Sequence, residues 1–230
     1  NPTCEDEVEG RDPVEFFIDP SRQNSGDVRE IHSLLAFRTC LLGTDGEVEC
    51  EQGPRPPFAT PQGPFTKLSA TDTQACGLRP DGSVECFGDP DPAHPDLLGT
   101  PLPAQGPFSE VHSGQLAHCG LLRMGEIRCW GVDDPTFISP PPEGRYRTMA
   151  WNGGTGCALR LEDGRATCWR IGDVEPPDVE FKLIAADAGL GCGVTLDDRV
   201  ACWTTSDDPE QIPNRGKIIP VPDHLAYEGR

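Results

Sequence analysis

Five cysteine-bracketed segments decide the fold of this chain: Cys40-L-L-G-T-Asp45-Gly46-E-V-E-Cys50, Cys76-G-L-R-P-Asp81-Gly82-S-V-E-Cys86, Cys119-G-L-L-R-M-Gly125-E-I-R-Cys129, Cys157-A-L-R-L-E-Asp163-Gly164-R-A-T-Cys168 and Cys192-G-V-T-L-Asp197-Asp198-R-V-A-Cys202. In each segment an apolar run leads into a tight turn and a second run leads out of it, which is the pattern of a β-hairpin. Repetition of one segment along a chain is the signature of a repeat architecture. The repeat therefore predicts the fold before any single residue does.

The turns indicate how each hairpin closes. Three copies carry Asp-Gly, which suits a tight hairpin turn because glycine accepts a positive φ at little steric cost. The third copy keeps the glycine as Gly125, and Asp198 stands at this position in the fifth copy. The bracketing cysteines then stand opposite each other, with Cα atoms about 4.5–5.5 Å apart, which is within the range of a disulfide. We predict one disulfide inside each hairpin: Cys40–Cys50, Cys76–Cys86, Cys119–Cys129, Cys157–Cys168 and Cys192–Cys202.

A second shared element precedes each bracket, with an aromatic residue 11 positions before the first cysteine in four copies. The copies are Gly63-P-Phe65-T-K-Leu68, Gly106-P-Phe108-S-E-Val111, Gly144-R-Tyr146-R-T-Met149 and Glu180-Phe181-K-L-Ile184, with a weaker first copy at Gly26-D-Val28-R-E-Ile31. Each repeat thus holds three short strands, and we expect these apolar residues to pack one repeat on the next.

The spacing of the repeats favours a propeller. The first cysteines follow one another after 36, 43, 38 and 35 residues, and strand-rich repeats of about 40 residues are typical of propeller blades. We predict an all-β fold, a β-propeller of five or six short blades, each of three to four antiparallel strands with one hairpin disulfide. We expect residues 1–230 to form a single domain, with repeats at about 26–53, 63–88, 106–131, 144–170 and 179–204.

The terminal segments, 1–25 and 205–230, are candidates to close the ring. Gly216-K-Ile218-I-P-Val221 restates the opening element of a repeat, so we expect it to lie beside an N-terminal strand around Val14 to Ile18. The alternative is that the chain is a piece of a longer array.

The pattern G-x-F-x-x-V followed by C-x-L-x-x-D-G-x-V-x-C-W-G resembles the repeats of the regulator of chromosome condensation family. Cys119 to Gly131 is the fullest copy, and Cys76 to Gly88 matches with Phe87 in place of tryptophan. The cysteine-bracketed version is similar to exported members of that family, which implies a propeller that works by binding. The exchange-factor activity of the nuclear members is not implied, because this chain carries disulfide brackets and a strong negative charge.

Composition excludes several partners and indicates a compartment. With 19 Lys and Arg against 38 Asp and Glu, the net charge is −19, which argues against nucleic acid and anionic membranes. No run of about 18 apolar residues exists, so we expect no membrane insertion. Ten paired cysteines indicate an oxidising compartment, so we expect a secreted, extracellular or periplasmic protein.

Cys4 is the eleventh cysteine and lies outside the five brackets. Three roles stay open for it: pairing with a partner chain, pairing with a segment outside this sequence, or a free thiol.

Acidic, proline-containing segments follow the second cysteine of several repeats and supply the candidate binding residues. They contain Asp89, Asp91, Asp133, Asp134, Asp173, Asp207 and Asp208. All leave the same strand, so we expect them on one face, opposite the Asp-Gly turns. One hypothesis is a rim of carboxylates that recognises a basic protein surface or calcium; the alternative, which we favour, is that Asp before Pro starts turns and keeps the surface soluble. No loop matches a calcium-binding pattern and zinc spacing is absent, so we predict no metal and no cofactor.

Aromatic and ionisable residues give a weaker indication of function. Phe87, Trp130, Trp169 and Trp203 suit either a sugar-stacking platform or, as we favour, the core, whereas Trp151 in a glycine-rich stretch is a candidate ligand contact. The five histidines are scattered, and no nucleophile elbow or zinc-protease motif is present, so we expect no catalytic residues. We therefore predict a binding module that recognises another protein through loops on one face. The alternatives are a lectin with pockets between blades, and a hydrolase or lyase with a site at the central channel.

Overall fold

The computed structural model describes residues 28–34, 38–50, 60–71, 74–88, 106–114, 117–131, 140–152, 154–169, 175–187, 189–204 and 218–220. Within these ranges every element is a strand, and no helix capable of crossing a membrane is found there. The predicted segments around Cys4 and Val14 to Ile18 lie outside the described residues.

The strands form five antiparallel sheets, one for each repeat. They are β1 (Val28–Leu34), β2 (Arg38–Gly43) and β3 (Val48–Cys50); β4 (Lys67–Ala70), β5 (Gln74–Leu78) and β6 (Val84–Gly88); β7 (Phe108–Ser113), β8 (Ala117–Leu122) and β9 (Ile127–Gly131); β10 (Tyr146–Asn152), β11 (Thr155–Arg160) and β12 (Ala166–Trp169); and β13 (Phe181–Asp187), β14 (Leu190–Thr195), β15 (Arg199–Thr204) and β16 (Ile218–Pro220). The three strands predicted for each repeat are confirmed, in the order of the sequence.

The five disulfides are those that the sequence predicted, each joining directly opposed residues of a hairpin. The Cα atoms of each pair are 4.0–4.1 Å apart, slightly closer than expected. The turns also follow the sequence: Gly46, Gly82, Gly125 and Gly164 have positive φ, and Asp198 takes the left-handed conformation with a φ of 60°.

The C-terminal strand differs from expectation. Ile218–Pro220 pairs antiparallel with β15, so that Ala201 faces Ile218 and Arg199 faces Pro220. The segment therefore adds a fourth strand to the fifth sheet, where the sequence predicted the opening strand of a further repeat.

The core lies between consecutive sheets, as the apolar pattern predicts. In the first junction, Phe65 and Leu68 of the second repeat pack on Cys40, Leu42 and Val48 of the first. The same positions meet in the next three junctions: Phe108 and Val111 with Cys76 and Leu78; Tyr146 and Met149 with Cys119 and Leu121; and Phe181 with Cys157 and Leu159. Burial of one such aromatic side chain stabilises the fold by about 1.5–3 kcal/mol, so cohesion between repeats is largely apolar.

A backbone clasp joins each hairpin turn to the next repeat. The aromatic residue that opens a repeat donates its N–H to the carbonyl of the turn glycine before it, at 2.7 Å from Phe65 to Gly46 and 3.0 Å from Phe181 to Gly164. Phe108 and Tyr146 do the same to Gly82 and Gly125. A Cβ on Gly46 would lie 2.9 Å from the Phe65 backbone, so this turn needs glycine for its neighbour as well as for its φ.

The two outer sheets of the described part each leave one apolar face less covered. Val28 and Ile31 are 40% and 65% exposed, although the matching residues Phe65 and Leu68 are 1% and 4% exposed. At the other end Cys192 is only half-buried, whereas the first cysteines of the other four repeats are fully buried. Closure of the ring between these two faces is not seen within the described residues.

Candidate functional site

The two ends of each sheet carry different features. Hairpin turns occupy one end, and the third strand of each repeat finishes at the other, where Gly88 pairs with Gln74 and Gly131 with Ala117. β12 and β15 finish at the same end. The candidate residues Asp89, Asp91, Asp133, Asp134, Asp173, Asp207 and Asp208 lie outside the described residues, and each follows one of these strand ends by one to four positions. Their place on one face therefore stays a prediction.

The hairpin end is occupied by contacts within the protein. Asp45, Asp81 and Asp163 each accept a hydrogen bond from the backbone N–H two residues later, at 2.8–3.0 Å. The Ser83 N–H and hydroxyl lower the pKa of Asp81, and their bonds hold the carboxylate on its own turn. Arg123 donates to the carbonyl of Pro80 in the preceding repeat, at 2.9 Å. Charged groups at this end thus shape turns and junctions.

An open groove lies at the hairpin end of the fourth repeat. It has a volume of about 550 Å³ and is bordered by Glu143, Arg145, Arg160 and Glu162. Arg160 is already held by two hydrogen bonds to Asp163, at 2.6 and 3.0 Å. The groove brings together charges of both signs without a converging set of carboxylates or histidines, so nothing in it points to catalysis.

Trp151 lies in β10 and not in a loop, which corrects its assignment as a ligand contact. Its side chain is 5% exposed, its Nε1 donates to the carbonyl of Ala117 at 3.2 Å, and its ring stacks on Trp169 with centroids 6.1 Å apart. The ring packs the fourth repeat against the third, and its polar atom is satisfied there. The glycine-rich sequence after it misled the prediction, because it marks the tight connection between β10 and β11.

The aromatics that follow the second cysteines are buried, as we favoured. Phe87, Trp130, Trp169 and Trp203 are 3–8% exposed. Two of them cover a glycine that precedes a cysteine: a Cβ on Gly156 would lie 2.2 Å from Trp169, and one on Gly191 would lie 2.4 Å from Trp203. These four rings form core, so they provide no exposed surface on which a sugar stacks.

Polar links between the first strands of neighbouring repeats were missed by the sequence interpretation. Glu110 accepts hydrogen bonds from the Met149 N–H at 3.1 Å and the Thr148 hydroxyl at 3.3 Å. Glu30 accepts one from the Leu68 N–H at 2.9 Å, in the same relation between the first two repeats. The sequence signal that could have revealed these links is a Glu-x-His pattern, present at 30–32 and 110–112. In both copies the histidine side chain faces the glutamate.

The remaining junctions use other polar pairs in the same layer. Ser113 donates its N–H to the Ser69 hydroxyl and its own hydroxyl to the Ser69 carbonyl, both at 2.8 Å. Asn152 donates to Asp187 at 2.6 Å.

Burial alone would raise the pKa of Glu110, but the hydrogen bonds from His112, Met149 and Thr148 outweigh it and lower that pKa. The carboxylate is therefore charged and serves as a structural acceptor.

One buried group in the described part of the chain combines metal-ligand side chains. Cys76, Cys86 and His118 offer two sulfur atoms and a nitrogen within 4.8 Å of one another. His118 Nδ1 lies 3.4 Å from Cys76 Sγ, and the two cysteines form a disulfide. The sequence interpretation set His118 aside because no other repeat has histidine before its first cysteine, and only the fold shows that it faces the disulfide of the preceding repeat.

Comparisons with known proteins show the fold. No family model matches the chain, and no curated protein matches it. The chain is similar in structure to the CRINKLY WD40 ectodomain of the Arabidopsis thaliana receptor kinase ACR4, with a TM-score of 0.60 and 20% identity over 85% of this chain and 66% of that one. It is also similar to the ectodomain of the Physcomitrella patens receptor kinase CR4, with a TM-score of 0.60 and 19% identity over 79% of this chain and 51% of that one.

A third similar structure is Prp20p from Saccharomyces cerevisiae, described with its binding properties to Gsp1p and histones. The TM-score is 0.55 with 13% identity, over 85% of this chain and 62% of Prp20p. This chain spans about two thirds of the ACR4 ectodomain and half of the CR4 ectodomain. At these identities the similarity supports an all-β fold of repeated antiparallel sheets like the blades of a β-propeller, and function has to be argued from this chain.

Proposed function

We propose that this chain is an extracellular propeller module that binds another protein through the face carrying the acidic loops. The observation that carries the proposal is the difference between the two ends of the sheets. The hairpin end is occupied by clasps, turn carboxylates and arginine contacts within the protein. The other end is where the third strands finish and the acidic segments begin.

Charge supports the same face and a basic partner. Asp133, Asp134, Asp207 and Asp208 follow β9 and β15 by no more than four residues. Successive residues of an extended chain span at most about 3.6 Å each, so connectivity keeps these carboxylates near the strand ends. Acidic groups gathered on one face attract a positively charged surface and speed its association.

The compartment and the class of activity belong to the proposal as well. Five disulfides and similarity to receptor ectodomains support an oxidising, extracellular location. Prp20p, which is similar to this chain in structure, is described with its binding properties to Gsp1p and histones, and this supports a protein-binding role. We propose no enzymatic activity, and turnover of any substrate by the purified protein would contradict this part.

An array of peptides with graded net charge tests the proposed face. The test variant carries Asp133→Asn, Asp134→Asn, Asp207→Asn and Asp208→Asn. The matched control carries Glu126→Gln, Glu143→Gln, Glu162→Gln and Glu180→Gln, which remove the same charge from exposed sites at or near the hairpin end. Each lost contact weakens binding by about 0.2–1 kcal/mol, so we expect the test variant to bind basic peptides about tenfold more weakly.

The control separates a binding face from net charge. We expect the hairpin-end variant to bind as wild type does. Equal weakening of both variants would mean that only net charge matters, and unchanged binding of the test variant would reject the acidic face. A sugar array read in parallel addresses the lectin alternative, because binding competed by free sugar would favour it over a protein partner.

A further inference from the structure

We propose that the Cys76–Cys86 disulfide is reducible and that, once reduced, its two thiolates and His118 form a binding site for a monovalent copper ion. This inference is independent of the proposed protein-binding face. It rests on the side chains that the fold brings together between the second and third repeats. The imidazole nitrogen beside Cys76 distinguishes this disulfide from Cys157–Cys168, where the indole N–H of Trp203 donates to Cys168 Sγ at 3.2 Å and offers no metal ligand.

His118 is placed to act on this disulfide. It lies on β8 with its side chain fully buried, and its Nδ1 lies 3.4 Å from Cys76 Sγ. Its Nε2 is buried and has no hydrogen-bond partner among the described residues. A buried polar atom without a partner is costly, so a histidine kept at this position invites a functional explanation. The other repeats have Thr39, Ala75, Gly156 and Gly191 before their first cysteines.

The imidazole also favours reduction of its neighbour. Cys86 is half-buried and Cys76 is fully buried, so the sulfur of Cys86 is the one that an external thiolate would attack. Attack there breaks the disulfide and expels Cys76 as a thiolate, which accepts a hydrogen bond from Nδ1–H of His118. A neighbour that stabilises the thiolate makes it a better leaving group and stabilises the reduced form.

Reduction of the disulfide requires a two-electron donor, which we propose is a dithiol. Its first thiolate forms a mixed disulfide with Cys86, and its second thiol releases Cys86 as it closes the reductant's own disulfide. The protein disulfide gains two electrons and the dithiol loses them. Both protein sulfurs then remain as thiol or thiolate beside His118.

The donor set selects the ion. Two thiolates and one imidazole are soft or borderline ligands, and thiolates favour monovalent copper. Structural zinc takes four ligands, whereas the group within the described residues offers three in a buried setting. When copper binds, both thiols release their protons to solvent, Nδ1 coordinates through its lone pair and Nε2 carries the ring proton. His32 and His112 lie on strands beside Cys40 and Cys119 but direct their Nε2 atoms to Glu30 and Glu110, whereas the Nδ1 of His118 faces a disulfide sulfur.

Limited reduction tests the first half of the proposal. The folded protein receives one equivalent of a phosphine reductant, free thiols are alkylated, and the remaining disulfides are then reduced and given a second label. Peptide mapping should show Cys76 and Cys86 with the first label ahead of the other eight bracketing cysteines. Preferential reduction of another pair, or equal labelling of all five, would overturn the proposal.

Copper binding tests the second half. The singly reduced protein is titrated with monovalent copper against a colorimetric chelator, for wild type, His118→Ala and the control His112→Ala, which removes a histidine facing Glu110. Wild type and the control should bind one ion, and His118→Ala should bind at least about tenfold more weakly. Alanine is native at the matching position 75, which favours folding of the variant.

X-ray absorption on the wild-type complex needs no variant. We expect two sulfur donors and one nitrogen donor. Coordination by two sulfurs alone, or equal affinity in His118→Ala, would reject the site.

Discussion

Acidification from pH 7 tests how tightly the second and third repeats pack around His118. Burial lowers the pKa of this histidine from 6.5 to about 4. Above pH 6.5 the imidazole is neutral in the folded and unfolded chains, so its environment contributes fully to stability. Between pH 6.5 and 4 the unfolded chain takes up a proton that the folded chain refuses, so stability falls as the pH falls. The total loss is about 3 kcal/mol, of which about 2 kcal/mol is lost by pH 5, before most carboxylates titrate.

Urea unfolding with the disulfides intact, measured at intervals from pH 7.5 to pH 5, provides the assay. Wild type should lose about 2 kcal/mol of unfolding free energy over this range, and His118→Ala should lose much less. Ser113→Ala serves as the control, because it removes the hydroxyl bond to Ser69 in the same junction without removing a titrating group, and it should keep the wild-type slope. A slope in His118→Ala equal to that of wild type would refute the argument, because it would show that His118 is solvated or charged in the folded protein.

Three further predictions address the junctions between repeats by thermal or urea unfolding. Gly46→Ala should destabilise by more than Gly164→Ala: both residues have positive φ, costing about 1 kcal/mol, but only at Gly46 does a Cβ meet the next repeat within 3 Å. Equal effects would show that the clasp can shift. Glu110→Ala should cost about 1–3 kcal/mol, because a buried backbone N–H loses its acceptor, and a neutral effect would mean that water replaces it. Leu68→Ala should cost about 2–5 kcal/mol and Ile31→Ala no more than about 0.5, and a similar cost at Ile31 would show that the first face is covered in solution.

The local fold was predictable because each repeat carries two independent signals for a hairpin. The opposed cysteines fix the register of a hairpin, and Asp-Gly fixes its turn, so five copies of the same local problem have the same solution. The apolar residues 11 positions upstream were assigned to the junctions for the same reason: their period matches the cysteines, and a short three-stranded sheet cannot bury its own face.

The relations between repeats were less predictable, because they depend on which side chains the fold brings opposite each other. Glu110 and Met149 are 39 residues apart, and neither is unusual within its own strand. His118 was an isolated histidine in the sequence until the fold placed it against a disulfide 42 residues earlier. The prediction for Trp151 was wrong because its glycine neighbours suggested a loop, whereas its side chain is buried in a cluster with Ala117 of another repeat, whose carbonyl accepts its indole N–H.

The outer faces of the described array bear on how the propeller is completed. In open repeat arrays the terminal units carry a polar outer face, because an apolar one would remain in water. The first repeat presents Val28 and Ile31 where a preceding unit would pack, and the fifth presents half-buried Cys192 and Val194 where a following unit would pack. Both repeats therefore have the residue types of internal units, and their two faces are the two halves of the same kind of junction. This pattern favours a further packing contact at both outer faces, and among the described residues Ile218–Pro220 extends the edge of the fifth sheet.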